Sequence, residues 1–318
     1  MGTDRARAPL TVDSGFVDWP AIVVHGGAGS YARVQQDRSL ADRLATALDA
    51  ALDAGWAVLV AGGDPLDAVV AAVRVMEDDG DFNAGRGSVP NTAGTVEMDG
   101  SVMDDTGRAG AVTCLTGHSA VDAARAVWRA GGEARPGQRT LLLAGQGADH
   151  FAHAHGVAAL EPLAASPTGG GKRPGAADPP PLRPASPDGT VGAVAVSAGG
   201  RLAAATSTGG RAGQPPGRVG DTPIPGAGIW AEPGCAVSAT GAGEAFVLAG
   251  FSRLVARGRA GGAPLAGAME AALAEVGRYG GEGGGIALDG DRGWAAAFDT
   301  PAMARGLHHA GGRLRVVV

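Results

Sequence analysis

A proline-rich segment constrains the chain more than any other feature of its sequence. Residues 161–189 hold eight of the 20 prolines in this 318-residue chain. Proline lacks a backbone N–H and fixes φ, so this stretch cannot form the interior of a helix or sheet, and we expect a mobile linker. The segment ends at Asp188-Gly189-Thr190 and runs directly into Val191–Val196, which has the apolar composition of a buried strand. A strand that begins with threonine therefore follows a linker, and the Gly189–Thr190 bond is a place where a chain can cut itself.

The overall composition narrows the class of protein. With 45% hydrophobic and 18% charged residues, the chain can bury a sizeable core. Its net charge of −6 has no block of like charges, which argues against nucleic acid or an anionic membrane as a partner. The N-terminal residues lack the apolar region of a signal peptide, and no apolar run approaches a membrane span, so we expect a cytoplasmic protein. Two cysteines, Cys114 and Cys235, are too few for a disulfide framework or a zinc knuckle.

Hydrophobic periodicity predicts short strands and amphipathic helices. The predicted strands are 20–25, 95–103, 109–115, 140–144, 190–197, 201–207, 235–240, 284–289 and 294–299. The predicted helices are 37–59, 66–77, 119–130, 243–257 and 265–277. A sharp turn is expected at Gly26–Gly29 and a helix break at Gly55. Because several strands follow one another without a helix between them, the pattern favours stacked antiparallel sheets flanked by helices over an alternating parallel sheet.

Two glycine-rich segments resemble known functional loops, but the residues around them do not support either function. His25-Gly-Gly-Ala-Gly29 resembles the oxyanion loop of lipases, but the nearest equivalent of their nucleophile elbow, Gly117–Val121, ends in valine and begins a helix. Residues 168–173 lack the Ser or Thr that follows the lysine of a phosphate-binding loop. We interpret His25, taken alone, as a structural turn histidine.

Three segments beyond Thr190 indicate that this threonine is more than a strand residue. A threonine at a strand start is usually present for its β-branched shape. Here, however, Thr206–Gly210, Gly217–Asp221 and Ser238–Glu244 each combine small residues with reactive polar groups. A module that only binds would have little need for so many hydroxyl groups beside such tight backbone.

Together these residues resemble the isoaspartyl peptidase/L-asparaginase family, the plant-type asparaginases among the N-terminal nucleophile hydrolases. The resemblance extends over residues 20–307. It rests on His25–Gly29, Phe82–Ser88, Glu97–Asp99, Val102–Asp104, Gly189–Ala195, Ala205–Gly210, Pro216–Asp221, Gly226–Gly228, Thr240–Glu244, Gly285–Leu288 and Met303–Gly306. The related glycosylasparaginases have a His-Asp pair before the nucleophile, whereas Asp188-Gly189 precedes Thr190 here.

The resemblance implies an architecture and a processing event. It implies one α+β domain over residues 1–318, folded as the four-layer αββα sandwich of the N-terminal nucleophile hydrolases. Cleavage between Gly189 and Thr190 would give an α subunit of residues 1–189, ending in the 161–189 linker, and a β subunit of residues 190–318. The assembly implied is a dimer of αβ units.

The resemblance also assigns the catalytic groups. Thr190 is the nucleophile, and its free α-amine, with an ordinary pKa of about 8, is the general base. Thr208 orients the nucleophile. The Thr240 hydroxyl and the Gly241 N–H form the oxyanion hole.

Substrate-binding and supporting residues follow from the same likeness. Arg218 binds the substrate α-carboxylate, Asp221 binds the α-ammonium, and Asn83 holds the Thr190 strand in a structural role. No metal takes part in the chemistry. A structural sodium is implied at backbone carbonyls of residues 77–86, although Gly80-Asp81 replaces the Pro-Leu frequent in the family.

The implied substrate is a β-amide of aspartate, either L-asparagine or a β-aspartyl dipeptide. The sequence does not rank the two. Gln214-Pro215-Pro216 alters the loop before Arg218 and so bears on which leaving groups are accepted, and Asp299 stands where asparagine is frequent in the family. The alternative is an unprocessed, inactive relative that acts as a binding or storage protein.

Overall fold

The computed structural model describes residues 8–31, 34, 38–133, 138–160 and 189–316. The linker predicted at 161–189 lies outside these residues, apart from Gly189. The strands are β1 (Thr11–Phe16), β2 (Ala21–Gly29), β3 (Met98–Asp104), β4 (Ala109–Leu115), β5 (Leu142–Ala144), β6 (Val191–Val196), β7 (Leu202–Thr208), β8 (Ile229–Glu232), β9 (Cys235–Gly241), β10 (Gly283–Asp289), β11 (Gly293–Phe298), β12 (Ala302–His309) and β13 (Gly312–Val316). The helices are α1 (Arg38–Val60), α2 (Pro65–Asp79), α3 (Ala120–Glu133), α4 (Gly145–Ala154), α5 (Gly243–Ala249), α6 (Phe251–Ala260) and α7 (Leu265–Arg278). Within the described ranges, none of these helices has the length and apolarity to cross a membrane.

The strands form two sheets. One has five strands in the order β1-β11-β10-β9-β8, and the other has eight in the order β13-β12-β2-β6-β7-β3-β4-β5. Their pairings are antiparallel except for β4 with β5, which is parallel. The chain is thus a mixed α and β protein, and the preference for antiparallel sheets over an alternating parallel sheet is confirmed.

Strand β6 shows how the core is divided. Ala193 belongs to a buried cluster with residues of α1, α2 and α3, including Leu48. The next residue, Val194, belongs to a second cluster with Ile286 of the five-stranded sheet. Successive side chains of a strand point to opposite faces, so β6 has helices on one side and the other sheet on its opposite side. A third cluster joins the five-stranded sheet to α6 and α7.

Helix α2 illustrates how local sequence sets an element. The Asp64 carboxylate accepts a hydrogen bond from Leu66 N at 2.8 Å, and Pro65 occupies the first turn. Gly80, with φ of 83°, ends the helix in the left-handed conformation. The prediction of a helix over 66–77 is confirmed.

The expected break at Gly55 is wrong, because α1 runs through it without interruption. A Cβ at this position would collide with the Ile22 side chain and lie 2.9 Å from the Ala68 carbonyl oxygen. Gly55 is therefore where α1 approaches β2 and α2 most tightly, which is a packing role rather than a helix-breaking one.

The expected turn at Gly26–Gly29 is also wrong, because these residues extend β2. The extension exists because β12 pairs with it, with Ala302 opposite Gly29 and Met303 opposite Ala28. Strands β1, β8, β12 and β13 and helix α4 were not predicted from the sequence. Helices α5 and α6 were predicted as one helix, but Gly250 separates them with φ of 62°.

Candidate active site

Thr190 lies at the entrance of β6 and is only 6% exposed. Its peptide N–H donates to the Thr240 Oγ1 at 3.1 Å. The two residues are 50 positions apart in the sequence. The start of β6 is thus held directly against the end of β9.

Gly189 sits in a conformation that suits glycine. Its φ of 151° is unfavourable for a residue with a side chain, and a Cβ would lie 2.5 Å from Gly27 Cα and 2.9 Å from Ala28 N. The peptide bond before Thr190 therefore passes closely over the glycine-rich end of β2. No other residue fits there without displacing that strand.

Thr208 ends β7 beside Thr190. The β6–β7 pairing sets Val191 opposite Ser207, so the next position along places Thr190 and Thr208 side by side. The Thr208 Oγ1 accepts a hydrogen bond from Gly210 N at 3.1 Å. This fixes the hydroxyl at the mouth of the strand pair.

Asn83 supports the segment that follows β7. Its amide Nδ2 donates to the Gly210 carbonyl at 2.6 Å, and its backbone carbonyl accepts from Gly209 N at 2.9 Å. Its Oδ1 accepts from Val89 N at 3.2 Å. Among the described hydrogen bonds, those of Asn83 lead to the turn after Thr208 and to its own loop rather than to β6, so it supports Thr190 only through the neighbouring strand.

Thr240 and Gly241 end β9 at the same edge. Both hydrogen bonds described at Thr240 Oγ1, from Thr190 N and from Ala28 N at 3.4 Å, use the oxygen as acceptor. The hydroxyl proton can therefore be donated to a further group. Gly241 pairs with Gly283 of β10, whose N–H donates to Asp299 Oδ1 at 2.8 Å. Asp299 thus anchors the strand behind Gly241, which gives it a structural role that the sequence did not reveal.

Arg218 is held by two side chains. Its Nε and Nη2 donate to the two carboxylate oxygens of Glu244 at 3.0 and 2.8 Å, and Nη1 donates to Gln214 Oε1 at 3.4 Å. The pKa of Glu244 is lowered to about 2, first by its hydrogen bond with Arg218. This two-pronged contact fixes the plane of the guanidinium.

Asp221 is a buried carboxyl group with one oxygen that is available to a ligand. It is 4% exposed, and its Oδ2 has no hydrogen-bond partner within the described structure. Burial raises the pKa of Asp221 to about 7, while the charge of Arg218 acts in the opposite direction. A Cβ built on Gly243 would lie 2.9 Å from both Asp221 Oδ1 and Arg218 Nη2. The two charged groups therefore converge on one small space above Gly243.

These groups line one cavity of about 410 Å³. Its walls include Thr190, Thr208, Arg218, Asp221 and Gly241. A cavity of this size suits a small polar molecule. It offers a hydroxyl, a cation and a carboxylate to the same ligand.

Residues 18–318 match the family model described as asparaginase. The chain belongs to the asparaginase family. It is 40% identical to the isoaspartyl peptidase of Salmonella typhimurium over 310 residues, covering 91% of this chain and 95% of that protein. It is 41% identical to a plant-type L-asparaginase of Pyrobaculum calidifontis, covering 90% and 95% of the two chains. The isoaspartyl peptidase/L-asparaginase of Danio rerio is 38% identical, covering 90% of this chain and 91% of that one.

This member of the asparaginase family also has a row of buried, hydrogen-bonded polar side chains near Thr190 that was not predicted from the sequence. His25 is fully buried, its Nε2 lies 2.9 Å from Ser238 Oγ, and Ser238 Oγ lies 2.9 Å from Thr206 Oγ1. Burial lowers the pKa of His25 to about 3, against a smaller opposing effect from the Thr190 backbone. His25 is thus a neutral strand residue and not a turn residue. The family motif around it was visible in the sequence, but its partners were not.

Proposed function

We propose that this chain is a self-processing threonine hydrolase. Its substrates are the β-amides of aspartate, L-asparagine and β-aspartyl dipeptides, from which it releases L-aspartate. The observation that carries the proposal is the convergence of the Thr190 strand start with Arg218 and Asp221 in one cavity. The relatives named isoaspartyl peptidase and L-asparaginase support the same activity.

Self-cleavage begins with attack of the Thr190 Oγ on the Gly189 carbonyl carbon. The C–N bond to Thr190 then breaks as the acyl group passes to oxygen, which leaves Gly189 as an ester and Thr190 with a free α-amine. Water hydrolyses the ester and restores the hydroxyl. Gly189 supports this step, because it has no side chain to obstruct the approach of the hydroxyl and adopts a φ of 151°, which is unfavourable for other residues.

Turnover uses the new amine as the base. It takes the proton of the Thr190 hydroxyl while the oxygen attacks the substrate amide. Arg218 binds the α-carboxylate and Asp221 the α-ammonium, which aims the β-amide at Thr190. The Thr240 hydroxyl and the Gly241 N–H stabilise the oxyanion, and each such donor is typically worth about 3 kcal/mol. Thr208 orients the nucleophile.

The finer architecture is also part of the proposal. We infer a single domain over residues 1–318 with the four-layer αββα arrangement, cleaved into residues 1–189 and 190–318 and assembled as a dimer of αβ units. The three buried clusters support four layers, since each joins two neighbouring ones. Light scattering on the cleaved protein tests the dimer.

We also propose a structural sodium bound by backbone carbonyls of residues 77–86, in the loop before Asn83. The carbonyl oxygens of Gly80 and Phe82 both lie close to Gly87 and so point to the same side of this loop. Hard cations are bound by such oxygens. The sodium would fix the loop that carries Asn83, and no catalytic step depends on it.

One experiment tests processing and activity together. Purified protein is followed by gel electrophoresis and N-terminal sequencing, then assayed with L-asparagine and β-aspartyl-alanine. We expect a new N-terminus at Thr190, aspartate release after cleavage, and neither event in Thr190→Ala. Protein that stays a single chain after long incubation, and binds without turnover, would instead fit the inactive relative.

A further inference from the structure

The cavity contains a second arginine that the proposed mechanism does not use. Arg211 lines the same cavity as Thr190 and Arg218. Arg218 is committed to Glu244 through a 2.8 Å ion pair. The Arg211 side chain is exposed and, within the described part of the chain, no ion pair is found for it. Arg218, paired with Glu244, is already assigned to the substrate α-carboxylate, whereas the Arg211 guanidinium is available to a second group of the ligand.

The backbone of Arg211 is fixed although its side chain is open. Arg211 N donates to Gln214 Oε1 at 2.9 Å, and Gln214 N donates back to the Arg211 carbonyl at 3.0 Å. The preceding Gly210 carbonyl is held by Asn83 at 2.6 Å. Arg211 also lies three residues after Thr208, so their Cα atoms are at most about 11 Å apart. The guanidinium therefore starts from a defined point within the reach of a dipeptide bound at Thr190.

Charge is distributed asymmetrically across the cavity. The charge of Arg211 reaches into it, because it contributes to lowering the pKa of Glu244 after the larger effect of Arg218. Glu282 lines the cavity beside Gly241, where its backbone carbonyl accepts from Ala242 N at 2.9 Å. Glu244, which is paired with Arg218, and Asp221 also line the cavity, so within the described residues Arg211 is a cavity-lining cation without an ion-pair partner.

The two substrates differ in their leaving groups. Attack forms the bond between Thr190 Oγ and the β-carbonyl carbon and breaks the C–N bond, and the hydroxyl proton passes through the α-amine to the leaving nitrogen. Asparagine releases ammonia, which carries no carboxylate. A β-aspartyl dipeptide releases an amino acid whose carboxylate is one carbon from that nitrogen.

We propose that Arg211 binds the free α-carboxylate of the leaving amino acid and makes the site selective for β-aspartyl dipeptides over asparagine. The inference rests on the proposed function and adds a subsite to it. Arg211 is then a specificity residue on the leaving-group side, opposite the pair formed by Arg218 and Asp221. A dipeptide whose C-terminus is an amide loses the contact while keeping its size.

The test compares three substrates in the cleaved protein: β-aspartyl-alanine, its C-terminal amide and L-asparagine. We expect Arg211→Gln to lower kcat/KM for the free-acid dipeptide by about ten-fold, the typical effect of losing one charge-assisted hydrogen bond. The amide and asparagine should change by less than about two-fold, because neither presents a carboxylate there. Arg211→Lys keeps the charge and should retain part of the selectivity.

Controls separate this inference from misfolding and from failure of the proposed function. Arg257→Gln changes an exposed arginine of α6 outside the cavity and should leave all three substrates unaffected. Complete cleavage of Arg211→Gln at Gly189–Thr190 shows that the variant folds. An equal fall for all three substrates, or no fall for the free acid, overturns the role of Arg211. Cleaved wild-type protein that turns over none of the three overturns the proposed function, and the subsite with it.

Discussion

At the scale of single residues, Asp221 is a cavity-lining carboxyl group whose pKa the fold raises strongly. Burial raises its pKa to about 7 against the attraction of Arg218, and Asp99 and Glu244 add smaller effects in the same direction as burial. Below this pH the proton on Asp221 must be lost before the carboxylate can pair with an ammonium group, so the affinity for such a ligand falls as pH decreases.

The first prediction concerns stability and pH. A raised pKa means that the folded state favours the protonated form, so the contribution of Asp221 to stability is full at acid pH and is lost as pH rises through about 7. Asp221→Asn should therefore melt at a higher temperature than the wild type above neutrality, with the gap shrinking toward pH 4. Thermal unfolding of the unliganded proteins across this range measures it. Asp291→Asn, at a carboxylate 84% exposed, should show no such trend, and a gap that grows toward acid pH would contradict the assignment.

The second prediction separates substrate binding from self-cleavage. In Gly243→Ala the new methyl group would press on Arg218 Nη2 and Asp221 Oδ1, each 2.9 Å from the added Cβ. We expect the KM for asparagine to rise by about ten-fold or more, equivalent to about 1.4 kcal/mol. Cleavage at Gly189–Thr190 should proceed normally, because that step needs no head-group site.

Steady-state kinetics and a processing time course measure the two effects independently. Gly147→Ala in α4, where a Cβ meets nothing within 4 Å, is the matched control and should alter neither. If Gly243→Ala blocked cleavage while leaving KM intact, the head-group site would have to lie elsewhere.

At the scale of elements, glycine in a helix can mark close packing rather than a break. Gly55 lies within the continuous α1 against Ile22 and the Ala68 carbonyl. Gly267 of α7 has open space where a Cβ would be. The same residue type therefore has opposite consequences in two helices.

The third prediction follows from that contrast. Gly55→Ala should destabilise the fold by about 1–3 kcal/mol, because the methyl group overpacks the contact between α1, α2 and β2. Gly267→Ala should stabilise it by about 0.5–1 kcal/mol through improved helix propensity. Urea denaturation of both variants, made in the uncleavable Thr190→Ala background to keep one chain, measures the difference. A stabilising Gly55→Ala would show that α1 does not sit where the described contacts put it.

The elements that sequence reasoning found are those whose local pattern agrees with their tertiary role. Strands β6 and β7 are runs of small and apolar residues, and both are fully buried. Strand β12 was missed because Arg305 and Gly306 interrupt its apolar pattern, yet Arg305 is accommodated by an ion pair with Asp13, 292 positions away. Helix α4 was missed because two glycines and two histidines give it weak propensity.

In the candidate site, the residues could be predicted from the sequence but their contacts could not. Thr190, Thr208, Arg218, Asp221 and Thr240 stand in segments that carry the family resemblance, so they could be named from the sequence. The hydrogen-bond partners of these residues could not be predicted, because they depend on which strands lie next to one another. His25 contacts Ser238 across 213 positions, and no local pattern encodes that distance.

At the scale of the whole molecule, the segments before and after Gly189 are interleaved. In the eight-stranded sheet, β2 lies between β12 and β6, and β7 lies beside β3. In the other sheet, β1 pairs with β11. Removing either fragment of a cleaved chain would therefore divide the eight-stranded sheet and leave unpaired strand edges in it.

The fourth prediction is that the two fragments remain one folded body after cleavage. They should co-elute in size-exclusion chromatography, separate only under denaturing conditions, and unfold in a single calorimetric transition, because neither fragment has a complete sheet. Separately expressed fragments should be largely unfolded and should recover activity only when mixed. Elution of a folded 190–318 fragment by itself would contradict the interleaved arrangement.

The pairing of β12 with the glycine-rich end of β2 has a consequence for synthesis on the ribosome. Gly27 and Ala28 pack on Gly189, and Met303, near the end of the chain, pairs with Ala28. A nascent chain that has emerged only as far as Thr190, or even Thr240, still lacks the strand that braces this contact. If the proposed cleavage needs this contact, a product truncated before β12 would keep Thr190 in an ordinary peptide bond. Only a chain that extends through β12 would then free the α-amine of Thr190.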